Sequence, residues 1–161
     1  MPIKPEENKN MRKSILTLAL AYLFTTPLLA AEGMINVKSA HTVTATADRL
    51  EKILVSKGMT VFTRIDHAAG AQKAGKTLAP TELVIFGNPK VGTPLMQCSH
   101  SIAIDLPQKA LIWQDEAGQV WFSYNDPQFL ALRHNTQGCD EVLKKVAMAL
   151  GNFSKKATAA E

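Results

Sequence analysis

Residues 81–97 read TELVIFGNPKVGTPLMQ, and the fold turns on how this stretch is read. Leu83, Val84, Ile85 and Phe86 form an unbroken run of large apolar residues, which predicts a strand buried on both faces. Gly87 ends the run and Asn88-Pro89 follows at once. Asparagine is a favoured helix N-cap and proline a favoured first helical residue, so the chain is predicted to turn from strand into helix here. Thr93-Pro94 repeats the device just after Gly92. Proline lacks an N–H, so a helix passing through residue 94 should kink or restart. The corner therefore sets one or two helix N-termini beside the end of a buried strand, where free N–H groups can hold an anion or a polar ligand. A corner that only packs has the same sequence. Gly87 is expected to matter through positive φ and close packing.

Working outward, the first 31 residues are set apart from the fold. Arg12 and Lys13 precede an apolar run from Ile15 to Phe24, and Leu28-Leu29-Ala30-Ala31 closes the segment. Positive, then apolar, then small is the order of a secretory signal peptide. The run is short for a membrane span. Met11 offers a second start that leaves the leader complete. The expected organisation is a signal peptide over 1–31, one globular domain over 32–153 and a disordered tail over 154–161. Export to the periplasm follows, with no stable membrane insertion after cleavage. The whole chain of 161 residues carries a formal net charge of +4, part of it in the leader. No Lys/Arg stripe follows, so nucleic acid is not expected as a partner.

Between leader and corner the pattern predicts a first strand over 34–37. A helix capped by Thr42 or Thr44 follows, with Leu50, Ile53 and Leu54 on its apolar stripe, and Gly58 ends it. Residues 59–66 alternate as a half-buried strand with Met59, Val61, Thr63 and Ile65 on one face. Asp66 then caps a short helix of small residues. After the corner, residues 98–107 read as a buried connector. KALIWQD and QVWFSYN, joined through Gly118, read as a hairpin. Asp126-Pro127 starts another helix, and Val142, Leu143, Val146, Leu150 and Phe153 mark the stripe of a last one. The order predicts an α+β fold: one two-layer domain whose mixed or mostly antiparallel sheet of about five strands carries helices packed on it.

GMTVFTRIDHAAGAQKAG, ELVIFGNPKVGTPLMQ, IDLP and ALIWQDEAGQVWFSYNDPQFLALRH together resemble domain-of-unknown-function family 302 over roughly residues 34–134. The resemblance implies a compact α/β domain that tends to form homodimers, and it implies no established activity. The family's recurrent polar positions fall on Asp66, His67, Asn88, Pro89, Asp105, Pro107, Tyr124, Asn125 and Asp126. The pair Cys98 and Cys139 is not a family-wide feature and looks typical of exported members.

In an oxidising compartment two lone cysteines usually pair, so a Cys98–Cys139 disulfide is expected. Met96, Cys98 and His100 are soft or borderline donors spaced two apart, which leaves metal or haem handling as an alternative. His67 beside Asp66, and His134 near Asp126, could form acid–base pairs that Asp105 could join. Helix capping explains Asp66 and Asp126 without catalysis. No hydrolase, zinc-protease, P-loop or dinucleotide fingerprint occurs, and no cofactor is expected. Trp113, Trp121 and Tyr124 belong either to the core or to a dimer surface. The leading expectation is a non-enzymatic binding module for a small ligand or partner. Its candidate site residues are Asp66, His67, Asn88, Pro89, Thr93, Asp105 and Asn125. An enzyme with an Asp/His site near Asp66, His67 and Asp105 is the competing class.

Overall fold

The computed structural model describes Met1 and residues 32–160; apart from Met1, the expected leader lies outside the described residues. The elements are β1 (Met34–Ser39), α1 (Val43–Ser56), β2 (Thr60–Asp66), α2 (His67–Lys73), β3 (Thr81–Gly87) and α3 (Pro89–Cys98). A 3-10 turn (His100–Ile104), β4 (Gln108–Gln114), β5 (Val120–Asn125), α4 (Pro127–His134) and α5 (Asp140–Thr158) follow. The strands form one sheet in the order β1-β5-β4-β3-β2, and every neighbouring pair is antiparallel. The expected α+β fold is therefore found, with a wholly antiparallel sheet.

Local chemistry fixes the helix starts. The side chains of Thr42, Asp66, Asn88 and Asp126 accept hydrogen bonds from Ala45, Ala69, Lys90 and Gln128 N–H groups respectively, each satisfying a donor that the first turn leaves unpaired. α1 and α5 lie across one face of the sheet. Leu50 and Leu54 of α1 and Val146, Leu150 and Phe153 of α5 are buried with Val84, Phe86, Ala110, Ile112 and Phe122 of the strands. Phe86 and Phe153 meet edge to face at 6.3 Å between ring centroids. Cys98 and Cys139 form a disulfide with Cα atoms 6.4 Å apart, which ties the end of α3 to the residue before α5.

Four features differ from the sequence reading. The run 83–86 is not buried on both faces. Val84 and Phe86 are buried under the helices, while Leu83 and Ile85 stay partly exposed. The other face is apolar as well, with Leu111 opposite Leu83 and Trp113 opposite Trp121, so the strand reads as an unbroken apolar run.

The alternation of β2 is broken by a bulge. Val61 pairs with Phe86 but Thr63 pairs with Ile85, so Phe62 is an extra residue and Val61 and Thr63 point to opposite faces. Phe62 is left 54% exposed, and Arg64 is brought under the helices.

The connector after α3 is only partly buried: Ile102 is covered, whereas Ile104 is 73% exposed. A 3-10 turn has three residues per turn, so positions two apart do not share a face. Finally, the tail expected to be disordered from residue 154 is helical to Thr158, burying Ser154, Ala157 and Thr158. These positions continue the 3.6-residue stripe beyond Phe153. Their end is held by Ala40 N–H on the Thr158 carbonyl at 3.0 Å and by Arg49 Nε on the Ala157 carbonyl at 3.1 Å.

Candidate functional site

The corner at the end of β3 forms a cavity of about 270 Å³ that opens to the surface. Met59 and Phe62 line it from β2 and the residue before it. Gly87, Asn88 and Pro89 line it from the turn, and Val91, Thr93, Leu95 and Met96 from α3. Leu106, Pro107 and Gln108, leading into β4, close the remaining side. The topology explains the meeting: Thr60 pairs with Gly87 and Phe86 with Gln108, so the start of β2, the end of β3 and the start of β4 share one end of the sheet. Gly87 does not have positive φ. A Cβ there would lie 3.3 Å from the Phe62 ring and 3.5 Å from Pro107, so close approach is what glycine provides.

Three of the seven candidate residues, Asn88, Pro89 and Thr93, line this cavity. The Asn88 amide is already engaged. Its Oδ1 accepts from Lys90 N–H at 2.9 Å, and its Nδ2 donates to the Gly58 carbonyl at 3.0 Å. Its role at the corner is to cap α3 and to tether the turn to the end of α1.

The other four do not join it. Asp66 pairs across from Glu82, at the opposite end of β3 and about 20 Å away by strand length. Asp66 Oδ1 caps α2 on Ala69 N–H at 2.8 Å, and His67 opens that helix as an exposed residue. Asn125 ends β5 and pairs with Met34 on the edge strand. Asp105 takes part in a different constellation.

Asp105 Oδ2 lies 2.5 Å from His134 Nε2, and His134 Nδ1 lies 3.0 Å from Ser101 Oγ. The His134 side chain is buried, and Arg133 approaches Asp105 Oδ1 at 3.4 Å. With Nε2 protonated, the imidazole donates to Asp105 and accepts from the Ser101 hydroxyl. The histidine at the end of α4 thus clamps both ends of the 3-10 turn. The sequence reading set His134 near Asp126 with Asp105 able to join; Asp105 does join it, whereas Asp126 caps α4 at its other end. A histidine in a helix's last turn and an aspartate just past a short turn were the available signals, but no spacing rule joins residues 29 apart.

The soft-donor alternative loses its thiolate. Cys98 is oxidised in the disulfide, Met96 lines the apolar cavity and His100 is exposed. Among the described residues no group of three or more His, Cys, Asp or Glu side chains is placed to hold a metal ion.

An ion cluster that the sequence reading missed lies at the opposite end of the sheet from the cavity. Arg64 Nε donates to Glu82 Oε2, and Arg64 Nη1 lies 2.6 Å from Asp48 Oδ1 and 3.8 Å from Glu51 Oε1. Thr44 Oγ1 donates to Glu82 Oε1 at 2.8 Å. Glu82, near the start of β3, is 7% exposed. The hydrogen bond from Arg64 to Glu82 is the largest influence holding the guanidinium pKa above its ordinary value, assisted by Asp48 and opposed by burial. The bulge at Phe62 set Arg64 on this face.

Known proteins bear on these features. The chain is 47% identical over 126 residues to the fluoride-specific ion channel FluC 1 of Brucella suis biovar 1 (strain 1330), covering 78% of this chain and 50% of that protein. Over the same length it is 47% identical to the fluoride-specific ion channel FluC 2 of Brucella melitensis biotype 1, covering 47% of it. The chain spans about half the length of the curated relatives it matches. A crystal structure of an uncharacterized conserved DUF302 protein from Bacillus stearothermophilus superposes with a TM-score of 0.71 at 19% identity, over 79% of this chain and 99% of that one. That likeness shows the fold. The match to the family described as domain of unknown function DUF302 runs over residues 35–153, most of the chain, and the chain belongs to that family.

Proposed function

We propose that the chain is an exported, homodimeric, non-enzymatic module that binds a small ligand at the β3–α3 corner. The observation that carries this reading is the corner cavity, where Asn88, Pro89 and Thr93 meet apolar side chains from β2, α3 and the approach to β4. Concave, mostly apolar sites with a few polar groups are the usual form of a small-molecule site. The dimer is assigned to the sheet face opposite α1 and α5, where Leu83, Ile85, Leu111 and Trp113 remain partly exposed, an apolar area of the kind that a second copy covers.

The Brucella proteins supply a context. An ion channel must cross a membrane, whereas among the described residues of this chain no helix is long and apolar enough to do so. The matching half of those proteins is read as a domain that accompanies a pore, and a membrane channel is the partner class proposed for this chain.

Native mass spectrometry of protein taken from the bacterial periplasm tests the reading in one measurement. The expected result is a chain starting at Ala31 or Glu32, paired in a dimer that retains a small molecule. A soluble monomer that keeps residues 12–24 and carries nothing would overturn it.

A second reading, a hydrolase, is favoured by the Ser101–His134–Asp105 chain of hydrogen bonds. Ser101 Oγ would attack an ester carbonyl and pass its proton to His134 Nδ1. That proton would leave with the alcohol, and water would then release the acid. Ser101 does not line the corner cavity, which is why this reading stands second. Cleavage of p-nitrophenyl acetate that Ser101→Ala abolishes would promote it, and equal rates in the two proteins would dispose of it.

A further inference from the structure

Resting on the binding-module reading, we infer that the corner cavity takes an uncharged, largely apolar molecule of about a dozen heavy atoms, and not an anion. Three observations carry this. The first is lining: no Lys, Arg, His, Asp or Glu side chain borders the cavity. An anion entering it would lose hydration without gaining a counter-charge. The N-terminus of α3 does not remedy this, because the Asn88 side chain already accepts from Lys90 N–H.

The second is size. A dry apolar cavity of about 150 Å³ takes benzene, and this one is about 270 Å³. The space suits a bicyclic ring or a short branched chain. The third is the character of the walls. Met59, Met96 and Phe62 offer thioethers and a ring edge, which adapt to an aromatic guest. Thr93 and Gln108 are the lining polar side chains other than Asn88, enough to orient one hydrogen-bonding end. Gly92 also faces the cavity. A Cβ placed there meets only Leu106 Cδ1, at 3.9 Å, so a larger side chain can be accommodated by filling the guest's space.

The test is an amide NMR titration of the intact oxidised protein with indole, indole-3-acetate and sodium fluoride. Indole is expected to shift the amides of Phe62, Gly92 and Leu106 saturably, with indole-3-acetate at least about tenfold weaker and fluoride without effect. Gly92→Leu is expected to abolish the indole response while leaving the rest of the spectrum folded. Met96→Ala, which enlarges the cavity, is expected to shift preference from indole toward a three-ring, anthracene-sized guest. If indole-3-acetate or fluoride shifts these amides and indole does not, the corner is a binding site but the ligand class is wrong. If none of the three shifts them, or indole binds Gly92→Leu unchanged, the corner is not the binding site and the binding-module reading falls with it.

Discussion

Arg64→Ala is expected to destabilise the fold by about 3–5 kcal/mol, because it strands a buried carboxylate. Glu82 sits near the start of β3 at 7% exposure, and its remaining hydrogen-bond partner would be the Thr44 hydroxyl. Asp48 and Glu51 face the same guanidinium, so the variant would hold three carboxylates with no cation among them. The Asp48 contact contributes little by itself, since that side chain is 51% exposed and solvent screens it. The loss is concentrated at Glu82.

Chemical denaturation of the variant and the parent measures the difference. Arg64→Met combined with Glu82→Leu removes both charges and should cost far less than Arg64→Ala, because paired removal leaves no buried charge unpartnered. An Arg64→Ala variant as stable as the parent would show that Glu82 does not depend on Arg64.

How far the sequence carries the fold depends on whether the governing physics is local. The helix caps at Thr42, Asp66, Asn88 and Asp126 were legible because a capping side chain acts within three residues of itself. The hairpin was legible for the same reason, since Gly118 has φ +80° and a short loop needs that conformation. What was not legible depends on partners distant in the chain. A bulge is decided by pairing with another strand, so nothing in TVFTRID marks Phe62 as the extra residue. Its consequence, Arg64 beneath the helices, was hidden with it.

The candidate site divides along the same line. Asn88, Pro89 and Thr93 were found together because they are neighbours in sequence as well as in space. Their apolar companions Phe62 and Leu106 come from other elements, and each read as ordinary strand or connector. The corner's free N–H groups pointed to an anion or a polar ligand, with a corner that only packs as the alternative, whereas the assembled cavity has an apolar lining. Asp105 was read as a group that could join the pairs of Asp66 with His67 and Asp126 with His134, without being assigned to either histidine. The pairing with His134 spans 29 residues and forms only once α4 is laid against the 3-10 turn.

Reducing or removing the Cys98–Cys139 bridge is expected to cost roughly 3–4 kcal/mol, since it closes a long loop in the unfolded chain. The two cysteines are separated by 41 positions, and the segment between them contains the 3-10 turn, the β4–β5 hairpin and α4. Without the bridge the unfolded ensemble gains the freedom of that whole segment. The native state also loses a fixed point at the start of α5, where Cys139 supplies no side-chain cap to the helix. Replacing both residues by alanine avoids burying new hydroxyl groups, and the melting temperature should fall on the order of ten degrees. A thiol reductant should reproduce most of that fall in the parent and have no effect on the alanine pair, which separates the loss of the bond from the loss of two side chains. The effect should also be felt at the cavity. α3 ends at Cys98 and carries Val91, Thr93, Leu95 and Met96 along the cavity wall. Once untied it should open locally, so amide hydrogen exchange in α3 should accelerate more than exchange in β3 and β4. Equal acceleration throughout would mean that the bridge acts only on the unfolded chain, and an unchanged melting temperature would mean that the bond contributes nothing to the fold.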